Sequence, residues 1–183
     1  IVRGEKRPEF PGSIRDIRVN RKFKALYFLH TAGWGNNSLC GYYRIRYSDG
    51  SSVDYPLTGG KNIADWWMPK NLPEAPVGIR RIGADGHEIG FYVAKWQNPH
   101  PDKTIASIDF YAASRNDEGE VDYINLQSPV PALAAITGEF KELNKKGEIR
   151  TVRVSLFAGP ETVFVVDAQR DFFALANHLE YRA

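Results

Sequence analysis

The 183 residues carry 24 Lys and Arg against 22 Asp and Glu, a net charge of +2 scattered along the chain, so no clustered cations mark a nucleic-acid footprint. Hydrophobic residues make up 43% and charged residues 25%, a globular balance with apolar material for one sizeable core rather than two small ones. No apolar run approaches the roughly 18 residues of a membrane span, no charged start leads into an apolar stretch as in a signal peptide, and the single cysteine, Cys40, excludes an intrachain disulfide.

Beginning at Ile1 without a methionine, the chain reads as a processed protein or an excised piece of a longer one. Residues 1–12, IVRGEKRPEFPG, are polar with two prolines and read as an arm or linker. The chain then turns β. Ile14, Ile17 and Val19 lead into residues 23–32, where Phe23, Ala25, Tyr27 and Leu29 alternate with Leu26, Phe28 and Ala32. Apolar on both sides, this stretch predicts a central strand covered on both faces. Residues 42–48 alternate more cleanly, which predicts Tyr43, Ile45 and Tyr47 inward and Tyr42, Arg44 and Arg46 toward water, with residues 53–57 as hairpin partner.

Turn chemistry recurs at Asp49 and Gly50, Asp85 and Gly86, Glu118 and Gly119, and Lys146 and Gly147, where glycine supplies the positive φ of a tight hairpin. These turns pair residues 79–83 with 89–96, 105–112 with 121–126, and the flank of Leu143 with 149–157. No long amphipathic helix lies between strands before residue 160, so a parallel βαβ sheet is disfavoured. The expectation is an all-β, antiparallel sandwich of at least seven strands. Its core should hold Ala25, Tyr27, Leu29, Tyr43, Ile45, Tyr47, Ile105, Ile108 and Phe110, joined by Trp96 on an alternating strand. After residues 133–136 the charged run GEFKELNKKGE suggests a soft boundary, giving an arm at 1–12, a β module at 13–138 and an extension at 139–183. The extension holds strand-like runs at 152–157 and 162–166. A short C-terminal helix follows in AQRDFFALANHLEY, periodic through Phe172, Leu175, Ala176 and Leu179 with Asp167 as its cap.

No Walker loop, dinucleotide fingerprint, HExxH, CxxC or GxSxG motif is present, so no cofactor is called for. Asp65, Asp85, Glu88 and Asp109 sit on separate segments, with no pairing of the kind glycoside hydrolysis needs, and each reads as a turn residue, cap or surface charge before a catalytic one. His30 fits a catalytic base, a ligand contact, or a hydrogen-bonded histidine at a strand end; His100, between two prolines, fits an exposed loop. A lyase would need a base, an acid and a charge neutraliser, for which His30, a tyrosine and Arg44 are the candidates.

Aromatic residues are the better signal. They make up 13% of the chain, and three of the four tryptophans lie in or beside loops rich in Gly, Asn and Asp. A sugar ring has an apolar face of C–H bonds and an edge of hydroxyls, so its site needs an indole platform beside polar side chains. Trp34 with Asn36 and Asn37, and Trp66 or Trp67 with Lys61, Asn62 and Asp65, meet that description. The competing reading makes these indoles lids on the core, with one ring of the adjacent Trp66 and Trp67 pointing inward. In either reading residues 62–67 suggest a helical turn started by an Asn cap.

The succession KFKALYFLHTAGW, YYRIRYSDGSSVDYPLTGGKNIADWW, AKWQNPHPDKTIASIDF and ALAAIT resembles the galactose-binding-domain-like β-sandwich modules attached to bacterial carbohydrate-active enzymes, over about residues 13–138. The resemblance implies a jelly roll that binds a glycan or polysaccharide noncatalytically through loops at one end. It also implies an extracellular or periplasmic setting, an adjoining catalytic domain and, in some members, a structural calcium ion held mainly by backbone carbonyls. No calcium pattern is matched residue by residue. Two other readings stand beside it: a small β-sandwich polysaccharide lyase or glycoside hydrolase using His30 and Arg44, and an accessory domain whose Trp loops pack on a catalytic neighbour.

Overall fold

The computed structural model describes residues 1–4, 6–35, 37–113, 129–156 and, by backbone alone, 164–167. Ten strands follow in chain order: β1 (Ser13–Arg21), β2 (Ala25–Gly33), β3 (Leu39–Tyr47), β4 (Ser52–Thr58), β5 (Val77–Ile82), β6 (Glu88–Gln97), β7 (Ile105–Ala112), β8 (Val130–Leu143), β9 (Ile149–Leu156) and β10 (Phe164–Asp167). They form one sheet in the order β1-β7-β3-β4 and a second in the order β10-β9-β8-β2-β6-β5, every strand pairing antiparallel. The described part of the chain is thus all-β and sandwich-like, without helix. The Glu118 and Gly119 turn, the strand expected at 121–126 and the C-terminal helix lie outside the described residues.

Three of the expected hairpins form: Gly50, Gly86 and Gly147 take φ of 86, 81 and 77° between β3 and β4, β5 and β6, and β8 and β9. Buried residues of both sheets meet in a main cluster that includes Ile17, Phe28, Tyr43, Ile45, Leu57, Trp96, Ile108, Phe110 and Ile136, while Tyr92 and Ala94 of β6 form a smaller one with Ala75. Phe28 of β2 stacks on Tyr43 of β3 with ring centroids 4.1 Å apart, and Tyr43 meets Phe110 at 5.0 Å, so aromatic rings join the two layers. At the other end of the strands Asn98 is buried. Its Oδ1 accepts from the Tyr47 hydroxyl at 2.6 Å and its Nδ2 donates to the Phe23 carbonyl at 2.8 Å.

Three expectations change. In β2 the residues facing the opposite sheet are Leu26, Phe28 and His30, while Tyr27 and Leu29 lie half-buried on the outer face. Tyr27 is covered there by Lys95 and Arg153, with its hydroxyl donating to Glu139 at 2.7 Å, so charged side chains lying across a ring replace the packed layer expected. The arm is attached: Val2 is buried in the core and its N–H donates to the Pro131 carbonyl at 3.1 Å. Position 138 falls inside β8, which pairs with β2 on one side and β9 on the other. Gly138 permits this, because a Cβ there would sit 2.3 Å from the Phe23 ring, and Phe140 beyond it still packs on the core.

Candidate functional site

Antiparallel pairing brings the end of β2, the start of β3, the end of β4 and the turn between β5 and β6 to one end of the molecule. The loops there carry the tryptophans. Trp34 is 51% exposed, Trp66 40% and Trp67 38%, and Met68 beside them is also exposed, so neither ring of the adjacent pair points into the core. Trp66 and Trp67 meet edge to face, with centroids 5.6 Å apart and planes at 89°. Trp67 also lies against the His87 ring at 4.6 Å, and the Arg7 guanidinium sits 5.5 Å over Trp34.

Asp65 organises these rings. Its Oδ2 accepts from Gly35 N–H and its Oδ1 from Trp67 N–H, both at 2.9 Å, so one carboxylate holds the loop after Trp34 and the loop of Trp67 together. Its own carbonyl accepts from the Tyr92 hydroxyl at 2.9 Å. Trp66 is stitched on both sides, its N–H to the Ala32 carbonyl and its carbonyl to Gly90 N–H, each at 2.9 Å. The close approach explains Gly35, where a Cβ would stand 2.7 Å from the Asp65 nitrogen. Trp34 and Met68 take φ of 55 and 46°, left-handed conformations unusual for large side chains, which hydrogen bonding around the loops holds in place. The helical turn expected at residues 62–67 does not form: isolated bridges pair Ile63 with Gly59, Asp65 with Ala32 and Trp67 with Ile89.

Asn62, read from sequence as a ligand contact, is only 2% exposed. Its Oδ1 accepts from Thr58 N–H at 2.8 Å, its Nδ2 donates to the Pro56 carbonyl at 2.9 Å, and its carbonyl lies 2.8 Å from His30 Nε2. A carbonyl only accepts, so Nε2 carries the proton and Nδ1 accepts from the Tyr43 hydroxyl at 3.0 Å. Asn62 therefore closes the loop and locks it to the core. Lys61 is exposed and paired with Glu74 at 3.2 Å, and Asn37 is exposed, its Oδ1 2.6 Å from where a Gly60 Cβ would stand; Asn36 lies outside the described residues. Arg7, Met68 and His87 were not legible as site members. Met68 follows Trp67 directly in the chain, whereas Arg7 and His87 reach the patch only through the fold, His87 because Trp67 bridges to Ile89.

The catalytic candidates do not converge. His30 is 0% exposed between the sheets, and burial pulls its pKa down to about 4 against the opposing effect of the Asn62 bond. Arg44 points to the outer face of the other sheet, where its guanidinium grips Asp54 through two bonds of 2.8 and 2.9 Å. Asp109 is buried and accepts from Arg46 at 2.6 Å and Asp16 N–H at 2.9 Å; Glu88 pairs with Arg80 at 2.7 Å; Asp85 accepts from His87 N–H in its turn at 3.1 Å. These are ion-pair and turn roles. Among the described residues no group of three His, Cys, Asp or Glu side chains could hold a metal, and the loop carbonyls of Ala32, Asn62, Ala64, Asp65 and Trp66 already accept hydrogen bonds. Comparison of the chain with family models, with curated proteins and with solved structures gives no match.

Proposed function

We propose that this chain is a noncatalytic carbohydrate-binding module, taking a glycan on the indoles of Trp34, Trp66 and Trp67. The observation that carries the reading is the exposure of all three rings on loops tied to one carboxylate, Asp65. Indole faces match the apolar C–H face of a pyranose, and holding them rigid before binding lowers the ordering cost of association. His87 against Trp67, Asp85 bonded to the His87 backbone, and the exposed Asn37 in the loop after Trp34 are polar groups that suit the sugar hydroxyls, while Asn62 and Asp65 act by positioning. The resemblance to galactose-binding-domain-like modules, which implies binding through loops at one end of the sandwich, points the same way. In that reading the module serves an enzyme acting on polysaccharide outside the cytoplasm.

The test is a glycan array probed with the intact chain, with turnover measured on the same glycans. Binding without cleavage, lost in Trp34→Ala, Trp66→Ala or Trp67→Ala while the thermal midpoint holds, supports the proposal. Cleavage of a glycan would show an enzyme instead. Absence of binding to every glycan would leave the patch as a surface for a neighbouring domain.

A further inference from the structure

The geometry points to a one-residue site: the right-angled corner of Trp66 and Trp67 takes a single terminal pyranose of a soluble glycan and does not adsorb the flat face of a crystalline polysaccharide. This rests on the glycan-binding proposal above. In a flat, two-fold polysaccharide ribbon successive rings lie in nearly one plane, so a matching protein surface presents its aromatic rings coplanar. Here the two adjacent indoles stand at 89° with centroids 5.6 Å apart, so a plane laid on one ring meets the other edge-on.

The remaining ring surfaces extend no platform. One side of Trp67 is taken by His87 at 4.6 Å, and one side of Trp34 lies under the Arg7 guanidinium at 5.5 Å. The proposed seat is the corner between the two rings, in which a pyranose lies with its C–H face on one indole and its edge against the other. His87, lying against Trp67, and Asp85, which accepts from the His87 N–H at 3.1 Å, supply the polar groups for the outward hydroxyls. The corner is held rigidly, since Trp66 is bonded to both β2 and β6 and Trp67 N–H to Asp65.

The probes are free monosaccharides and linear oligomers of two to six residues in the gluco, galacto, manno, xylo and N-acetylglucosamino series, with microcrystalline cellulose and crystalline chitin as flat solids. The expected result is an affinity that stays level from the shortest binding sugar to its hexamer, no adsorption to either solid, and about a tenfold loss in Trp66→Ala and in Trp67→Ala. Trp67→Phe, which keeps a ring, should retain most of the affinity, and an unchanged thermal midpoint confirms that each variant is folded. Adsorption to a crystalline solid, or an affinity that climbs tenfold or more with chain length, overturns the one-residue corner and leaves glycan binding intact. Failure to bind any soluble or solid glycan overturns the glycan reading and this inference together.

Discussion

Replacing His30 by Gln tests how the core is wired to the indole loops. The imidazole is fully buried and neutral, donating from Nε2 to the Asn62 carbonyl and accepting at Nδ1 from Tyr43. Protonation would put a charge between the sheets and turn Nδ1 into a donor facing a hydroxyl that must then stop donating to it. Burial accordingly holds the native pKa near 4, below the ordinary 6.5. The sign follows from proton counting: above pH 6.5 neither state binds the proton, whereas between 6.5 and 4 the unfolded chain binds it and the native one does not. Stability from this group is therefore fully present above pH 6.5 and falls as the pH drops toward 4, at about 1.4 kcal/mol per pH unit, or about 3 kcal/mol across the interval. His30→Gln keeps a donor for the Asn62 carbonyl and cannot titrate. It should cost about 1–3 kcal/mol at pH 7 through imperfect hydrogen bonding, yet lose less on acidification. Urea unfolding of both proteins, followed by tryptophan fluorescence at pH 8, 7, 6, 5 and 4, gives the two curves. Carboxylates titrate alike in both, so the difference isolates His30. If the difference between the two proteins stays constant from pH 7 to pH 4, the buried neutral imidazole is wrong.

Other perturbations address the site and its frame. Asp65→Ala strips the acceptor from Gly35 N–H and Trp67 N–H and should cost about 1–3 kcal/mol; acrylamide quenching should show the indoles more accessible, and glycan affinity should fall without any contact residue being touched. Because Trp34 holds a φ of 55°, Trp34→Gly should be more stable than Trp34→Ala by about 1 kcal/mol in thermal or urea unfolding, although both lose the same ring; equal stability would show that the backbone there is unstrained. Gly138→Ala drives a Cβ into the Phe23 ring and should cost about 1–3 kcal/mol by urea titration, and an unchanged midpoint would mean that Phe23 moves aside freely. Asp109→Ala removes the acceptor of the Asp16 N–H and of the half-exposed Arg46, so a drop of about 1–3 kcal/mol in unfolding free energy is expected.

Local chemistry determined the antiparallel layout. Asp49 with Gly50, Asp85 with Gly86 and Lys146 with Gly147 could each be read as hairpins because a positive φ is a property of the residue and its neighbour, needing no distant contact. The alternation from Tyr42 to Tyr47 likewise assigned inward and outward faces, since one side of that strand is wholly apolar and the other carries two arginines. In β2 the same rule had nothing to decide with. Both alternating sets are apolar, and the choice fell to Glu139, Lys95 and Arg153, which reach Tyr27 from strands 68 to 126 residues away in sequence. Partners also had to come from the fold: β7 lies between β1 and β3, a placement that no turn signal announces.

The same division runs through the candidate site. Indoles in polar loops were visible in the sequence, but an indole is apolar and hydrogen-bonding at once, so whether it caps a core or faces water is decided by what packs around it. Asn37 and Asn62 are chemically identical side chains in similar loops. One is exposed in the loop after Trp34 and the other is buried, because Thr58, Pro56 and His30 together satisfy the amide and carbonyl of Asn62. That satisfaction depends on a strand 32 residues earlier lying directly beneath the loop. Sequence therefore determined which residue types the loops carry, and tertiary structure alone decided which of them reach the surface, since burial of a polar group turns on partners that the chain supplies only once it is folded.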